Sequence, residues 1–81
     1  MPSRAVTVYT GDGCSLCESA LEIVRAAREE LGFELRVVDI GRDEELERRY
    51  RERVPVVEID GERAFTYFVD ADELRRRVAG A

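Results

Sequence analysis

The chain has 81 residues, which fits one domain that buries roughly 60–65% of the surface exposed by its unfolded chain. The net charge of −5 argues against a nucleic-acid backbone or an anionic membrane as partner, and the absence of histidine excludes Cys–His catalysis, Ser–His catalysis and histidine metal ligation. No apolar run reaches the length of a membrane span, and the chain leads from Met1 directly into the first predicted strand without a secretory signal. We therefore expect one cytosolic domain over residues 1–81, in a reducing compartment where paired cysteines are usually catalytic or metal-binding.

Residues 5–9 predict a first β-strand, and residues 10–13 predict a turn. Apolar residues then recur at helical spacing and predict a helix from Cys14 onward: Cys17, Ala20, Leu21, Val24, Ala27 and Leu31. Gly32 follows at the position favoured for a left-handed helix cap. Residues 33–40 alternate apolar and charged side chains, which is typical of a strand at the edge of a sheet.

A second helix is predicted over residues 43–51, with Leu46 and Tyr50 on its buried side. Glutamates and arginines four residues apart predict three surface ion pairs: Glu44/Arg48, Glu45/Arg49 and Glu47/Arg51. The helix must end before Pro55, because proline disfavours a helical conformation at the residue that precedes it.

Residues 60–61, Asp-Gly, are a favoured two-residue turn and predict a β-hairpin. This turn sets two cross-strand pairs, the second of opposite charge: Ile59 with Glu62, and Glu58 with Arg63. The aromatic residues that follow are expected to pack in the core and the hairpin: Phe65, Tyr67 and Phe68.

The last helix is predicted to begin near Asp70, where Asp70 and Glu73 resemble a capping box. Leu74 and Val78 form its apolar stripe, and residues 75–77, three arginines, are expected to be a solvated helix end. The resulting order is β-α-β-α-β-β-α. Its economical packing is a four-stranded mixed sheet with helices on both faces.

The thiols of Cys14 and Cys17 carry the most specific chemical signal. A thiol in the first turn of a helix lies among amide groups that have no partner within the helix, and those groups favour the thiolate. A free cysteine titrates near about 8.5, and such settings bring this to roughly 3.5–7.5. The sequence therefore predicts a nucleophile at Cys14. Cys17 lies on the apolar stripe and is expected to be the more buried of the two.

These elements resemble the thioredoxin fold: a strand, a turn, Cys-x-x-Cys and a helix, followed later by Val54-Pro55 and a valine-rich strand. The start at the strand, with no helix before it, is similar to glutaredoxins and to small glutaredoxin-like proteins. Residues 9–18, which contain Cys-Ser-Leu-Cys, resemble the latter group especially. The resemblance covers the whole chain in element order but only a minority of positions in identity, and it implies a thiol-disulfide oxidoreductase.

By this resemblance, Cys14 attacks a disulfide and Cys17 resolves the resulting mixed disulfide. Val54 and Pro55 bind substrate, with Pro55 following a cis peptide bond, and a hydrogen bond from Ser15 to the Cys14 thiolate is expected. Two alternatives stay open, namely two unreactive core cysteines and an ordinary trans proline that ends a helix.

The chain also departs from the glutaredoxin pattern. The Gly-Gly turn that binds glutathione is missing, which predicts weak use of glutathione. Arg53 replaces a common threonine and is expected either to contact a carboxylate or to be a solvated arginine. Asp12 and Glu18 flank the dithiol and moderate the stabilisation of its thiolate.

We therefore expect an enzyme with no tightly bound cofactor and no metal, reduced by an external thiol system, either glutathione or a thioredoxin-reductase system. Its expected partners are disulfide-containing proteins or small-thiol mixed disulfides, and the protein is expected to be a monomer. Two other functions remain: metal or iron–sulfur binding by the cysteine pair in a dimer, and a redox-inactive binding module.

Overall fold

The computed structural model describes residues 4–79, so the predicted lead from Met1 into the first strand falls partly outside the described residues. In chain order, these residues form β1 (Ala5–Thr10), α1 (Ser15–Leu31), β2 (Glu34–Asp39), a 3-10 turn (Ile40–Arg42), α2 (Glu44–Tyr50), β3 (Val56–Ile59), β4 (Glu62–Thr66) and α3 (Ala71–Ala79). The predicted α/β architecture is confirmed. Within the described residues, no helix is long and apolar enough to cross a membrane.

The four strands form one mixed sheet in the order β2-β1-β3-β4. β1 is parallel to β2 and antiparallel to β3, and β4 is antiparallel to β3. β2 therefore lies at an edge, as its alternating sequence predicts. The dithiol follows the carboxyl end of β1, and the antiparallel β3 begins at the same end of the sheet.

The hairpin between β3 and β4 has the predicted register, with Ile59 opposite Glu62 and Glu58 opposite Arg63. Asp60 and Gly61 have φ angles of 51° and 86°, as a tight hairpin turn with two left-handed residues requires. The prediction of an ion pair between Glu58 and Arg63 is wrong. The Glu58 carboxylate instead accepts hydrogen bonds from the hydroxyls of Tyr9 and Tyr50.

Two apolar clusters lie on opposite faces of the sheet. The larger joins the sheet to α1 and α3, and its buried members are Val6, Val8, Val24, Ala27, Phe33, Val57, Ile59, Leu74 and Val78. The smaller lies under α2 and contains Ile40, Tyr50 and Val56, with Tyr9, Leu46 and Val54 packed against it. The alternation of Val8 and Tyr9 along β1 sends one side chain to each cluster.

Aspartates cap the amino ends of α2 and α3, and the sequence predicts the second of these caps. Asp43 accepts hydrogen bonds from the amides of Glu45 and Leu46 at 2.9 and 3.2 Å, and Asp70 accepts one from the Glu73 amide at 3.0 Å. The second half of the predicted capping box is wrong: the Glu73 carboxylate binds two arginines of α3 instead. Residues 75–77 are therefore paired rather than merely solvated.

Other surface predictions were also wrong. None of the three predicted ion pairs of α2 forms among residues 4–79. Phe68 is 72% exposed and Tyr67 is 40% exposed rather than packed in the core, and Leu31, the last residue of the predicted apolar stripe, is 37% exposed. These residues lie at the ends of elements, where the hydrophobic period no longer specifies a buried face.

Candidate functional site

Cys14 and Cys17 form a disulfide, with their Cα atoms 5.2 Å apart. Cys14 is the N-cap residue of α1, with extended backbone angles, and its side chain is half-buried. Cys17 lies one helical turn further on, against the core, and is 3% exposed. The half-buried cysteine therefore precedes the buried one.

The amino end of α1 supplies the Cys14 sulfur with a backbone amide donor. The Cys17 amide donates a hydrogen bond to Cys14 Sγ, with a nitrogen–sulfur distance of 3.0 Å. The first amides of a helix have no partner within the helix. An acceptor at the N-cap, here the Cys14 sulfur, satisfies one of them. Ser15, although adjacent, makes no hydrogen bond to this sulfur in the described part of the chain. The donor to Cys14 Sγ is the backbone and not the serine hydroxyl.

Val54 and Pro55 lie directly beside the dithiol. The peptide bond between them is cis. The Val54 carbonyl oxygen is 4.0 Å from Cys14 Sγ, Pro55 is fully buried, and Val54 is half-buried. Among residues 4–79 the Val54 amide donates to no backbone carbonyl. The Val54 amide is therefore a free donor beside the sulfur. Within the part of the chain that the structure describes, the Val54 carbonyl is an acceptor whose only hydrogen-bonding contact is the long one to Cys14 Sγ.

Gly11 permits this approach of the Val54 segment to the dithiol turn. A Cβ atom at Gly11 would lie 3.3 Å from Val54 Cγ2, which is tighter than an ordinary contact. Gly13, with a φ of +64°, then turns the chain into Cys14. Both glycines thus bring the disulfide against Val54.

Arg53 is exposed, and its backbone amide donates to the Tyr50 carbonyl at 2.8 Å. Its guanidinium contacts no carboxylate among residues 4–79. Of the six predicted site residues, five therefore adjoin the disulfide directly or through the chain: Cys14, Ser15, Cys17, Val54 and Pro55. Arg53 extends from the same segment toward α2.

Tyr67 was not predicted as a site residue. Its amide donates to the Pro55 carbonyl at 2.9 Å, and its hydroxyl donates to the Glu52 carbonyl at 2.6 Å. Its φ of 72° is a left-handed conformation, in the region where the glutaredoxin pattern has its glycines. The glycines of the pattern at this turn indicate a left-handed conformation there, which was the available signal. Tyr67 therefore holds the Pro55 segment by two hydrogen bonds.

A second unpredicted group lies under α2. The rings of Tyr9 and Tyr50 stack with centroids 4.7 Å apart, and both hydroxyls donate to Glu58, at 3.3 and 3.4 Å. Burial, followed by the nearby Glu58 charge, raises the pKa of Tyr9. The alternation of β1 and β3 places Tyr9 and Glu58 on one face, which was the signal for this contact.

The described residues contain no group of three or more cysteine, aspartate or glutamate side chains placed to hold a metal ion.

A family model described as Glutaredoxin-like domain (DUF836) matches residues 5–79. The chain belongs to this glutaredoxin-like family. Protein Ne2328 from Nitrosomonas europaea is similar to it at 32% identity, with a TM-score of 0.81 over 98% of this chain and 95% of that one. Protein XcR50 from X. campestris is similar at 34% identity, with a TM-score of 0.74 over 94% of this chain and 97% of that one. No curated protein matches the chain.

More distant solved structures share the fold. Thioredoxin-2 of the malaria parasite is 16% identical, with a TM-score of 0.76 over 98% of this chain and 84% of that one. This likeness shows a thioredoxin fold. The family and the fold, with the Cys14–Cys17 pair, are consistent with a redox function.

Proposed function

We propose that the protein is a thiol-disulfide oxidoreductase that reduces disulfides through Cys14 and Cys17. The observation that carries the proposal is the position of the half-buried Cys14 sulfur. It accepts the Cys17 amide at the amino end of α1 and lies 4.0 Å from the Val54 carbonyl. Family membership supports the same chemistry.

The reaction consists of two thiol–disulfide exchanges. In the reduced protein, the Cys14 thiolate attacks one sulfur of the substrate disulfide, and the other substrate sulfur leaves as a thiolate that takes up a proton. Cys17 then loses its proton and attacks the Cys14 sulfur of the mixed disulfide. The second substrate thiol leaves, and the Cys14–Cys17 disulfide forms. Two electrons pass to the substrate, and an external dithiol or two external thiols restore the reduced pair.

The half-buried and buried positions of the two sulfurs suit these different roles. Amide donors at the helix start stabilise negative charge on Cys14, which must ionise to attack. Cys17 is covered from solvent and attacks only a sulfur that is already bonded to Cys14. This order prevents the resolving thiol from reacting with substrate first.

Val54 and Pro55 bind the substrate in this proposal. The free amide and the carbonyl of Val54 can pair with the backbone of an extended segment, as an added strand pairs with a sheet edge. Such pairing sets the substrate sulfur beside Cys14 and makes no demand on the sequence of the substrate.

The proposed reductant is an external thiol system in the cytoplasm. We expect weak use of glutathione, because Tyr67 and Phe68 occupy the region of the Gly-Gly turn. Both aromatic rings are exposed at this turn, which supports this expectation.

The test measures NADPH-coupled reduction of a disulfide-linked peptide, once with glutathione and glutathione reductase and once with thioredoxin reductase. The expected result is turnover that Cys14→Ser abolishes. Ser15→Ala is the matched control, because it removes a neighbouring hydroxyl that makes no bond to the Cys14 sulfur. Full activity of Cys14→Ser would refute the proposal, and efficient turnover with glutathione would refute the expected reductant preference.

A further inference from the structure

Four arginines at the end of α2 form a strongly basic surface beside the dithiol. This arginine cluster consists of Arg48, Arg49, Arg51 and Arg53, all of them exposed. With Glu52, the residues from 48 to 53 carry a net charge of +3. Because the whole chain carries −5, the remaining residues carry −8. The cluster is thus opposite in sign to the rest of the protein.

Among residues 4–79, none of the four guanidinium groups forms an ion pair or donates a hydrogen bond. The Arg49 guanidinium carbon lies 5.8 Å from the centre of the Tyr50 ring, and this contact does not neutralise its charge. The arginines of α3 differ, because Arg75, Arg76 and Arg77 all pair with carboxylates. The arginine cluster therefore keeps its full charge for an external anion.

The arginine cluster adjoins the dithiol through two neighbouring grooves. Its four arginines and Glu52 line a groove of about 190 Å³. Arg51 also lines a second groove, of about 180 Å³, which Val54 and Gly11 share. Asp12 and Glu47 line the second groove too, so the first groove is the one that favours an anion.

The distances are short enough for the cluster to act on a bound substrate. Arg53 directly precedes Val54, whose carbonyl lies 4.0 Å from Cys14 Sγ. Three extended residues of a substrate span about 10 Å, which equals the Debye length of about 10 Å at 0.1 M salt. A carboxylate two or three residues from the reacting cysteine is thus attracted by the cluster more strongly than it is repelled by the net negative charge of the protein.

We propose that the arginine cluster selects polypeptide disulfides that carry acidic residues beside the reacting cysteine. The occupant is an extended acidic segment, because a groove lined by four unpaired arginines exceeds what the carboxylates of one small thiol can contact. The free backbone groups of Val54 and the exposed Phe68, which follows the residue that donates to the Pro55 carbonyl, also suit a polypeptide. This inference rests on the proposed function, since it names the substrate class of the same site.

The test compares three peptide disulfides of equal length, in which the residues flanking the cysteine are all Glu, all Gln or all Lys. Each carries the same dye and quencher on its two halves, so that reduction raises fluorescence. At about 0.01 M salt, the reduced protein is expected to reduce the Glu peptide about tenfold faster than the Gln peptide. The Lys peptide should be slowest. At about 1 M salt, where the Debye length is about 3 Å, the ratio should approach one.

Variants locate the effect. The double variant Arg51→Gln/Arg53→Gln should lower the Glu-to-Gln rate ratio to about one at low salt, and Arg51→Lys/Arg53→Lys should keep most of it. Arg36→Gln/Arg63→Gln is the matched control: it removes two equal charges from β2 and the hairpin and should keep the ratio. Thermal unfolding of each variant checks that it is folded.

The outcomes separate this inference from the proposed function. If the wild-type protein reduces none of the three peptides, the proposed function fails. If it reduces all three at equal rates, or fastest with the Lys peptide, only the substrate selection fails. A Glu preference that survives in Arg51→Gln/Arg53→Gln would overturn the assignment to the arginine cluster.

Discussion

Gly11→Ala tests whether the close approach of the dithiol turn to Val54 matters for both stability and activity. The added methyl group would lie 3.3 Å from Val54 Cγ2. Overpacking costs about 1–3 kcal/mol, and the half-buried valine places this case near the lower limit. Because φ at Gly11 is not left-handed, alanine also gains about 0.4–1 kcal/mol by restricting the unfolded chain. The two effects nearly cancel, and we expect little change in the free energy of unfolding.

Removing the contact with Val54 separates the overpacking cost from the chain-entropy gain. In a Val54→Ala background, Gly11→Ala should raise the free energy of unfolding by about 0.4–1 kcal/mol, since only the chain-entropy gain remains. The coupling between the two substitutions should therefore be about 1 kcal/mol. Urea unfolding of the four proteins measures it. In the single variant, displacement of Val54 should also slow the reduction of peptide disulfides.

Gly13→Ala is the control for this cycle. Its φ is +64°, so alanine is strained there, but its Cβ would contact nothing within 4 Å. Its cost, about 1–2 kcal/mol, should be the same with Val54 and with Val54→Ala. If Gly11→Ala also changed stability equally in both backgrounds, the inferred contact between the turn and Val54 would be wrong.

Three further predictions concern stability. Asp43→Ala removes the acceptor for two α2 amides and should cost about 1 kcal/mol, or about 4–8 °C in Tm, by circular dichroism; an unchanged Tm would contradict the cap. Leu74→Ala, at a fully buried site, should cost about 2–5 kcal/mol in urea unfolding, and a smaller loss would indicate that the core collapses around it. The raised pKa of Tyr9 means that the folded protein holds its proton above pH 10, so stability should fall as pH rises beyond that value. Tyr9→Phe should remove this slope, and a slope that persists would assign it to another group.

Periodic and capping signals predicted most of the fold. Val24 and Ala27 recur on one side of α1, Gly32 stops that helix in a left-handed conformation, and residues 60–61 set the hairpin register. Each of these signals reflects a local steric rule or a large burial energy. They specify the structure without help from distant residues.

Surface charges were predicted less well. The three ion pairs expected along α2 do not form, namely Glu44/Arg48, Glu45/Arg49 and Glu47/Arg51. Such pairs contribute only about 0.2–0.5 kcal/mol, so small differences in solvation and side-chain freedom decide whether they exist. α2 is also only seven residues long, and Arg51 already lies at its C-cap. The sequence therefore does not indicate that Arg48, Arg49 and Arg51 stay unpaired.

At the site, the sequence located both cysteines and the Val54–Pro55 segment but not the contacts made by aromatic residues. Tyr67 reaches Glu52 and Pro55 across 15 and 12 positions of the chain, and its left-handed φ depends on those bonds. The bonds from Tyr9 and Tyr50 to Glu58 likewise join separate elements. Contacts of this kind are set by how elements pack, which hydrophobic periodicity does not specify.

Cysteine trapping tests the central claim most directly. Reduced Cys17→Ser, mixed with a peptide disulfide and analysed by intact-mass and peptide mass spectrometry, should accumulate a stable adduct of one peptide half on Cys14, because no second thiol can release it. Failure to form this adduct under conditions in which the wild-type protein becomes oxidised would contradict the claim that Cys14 is the attacking residue.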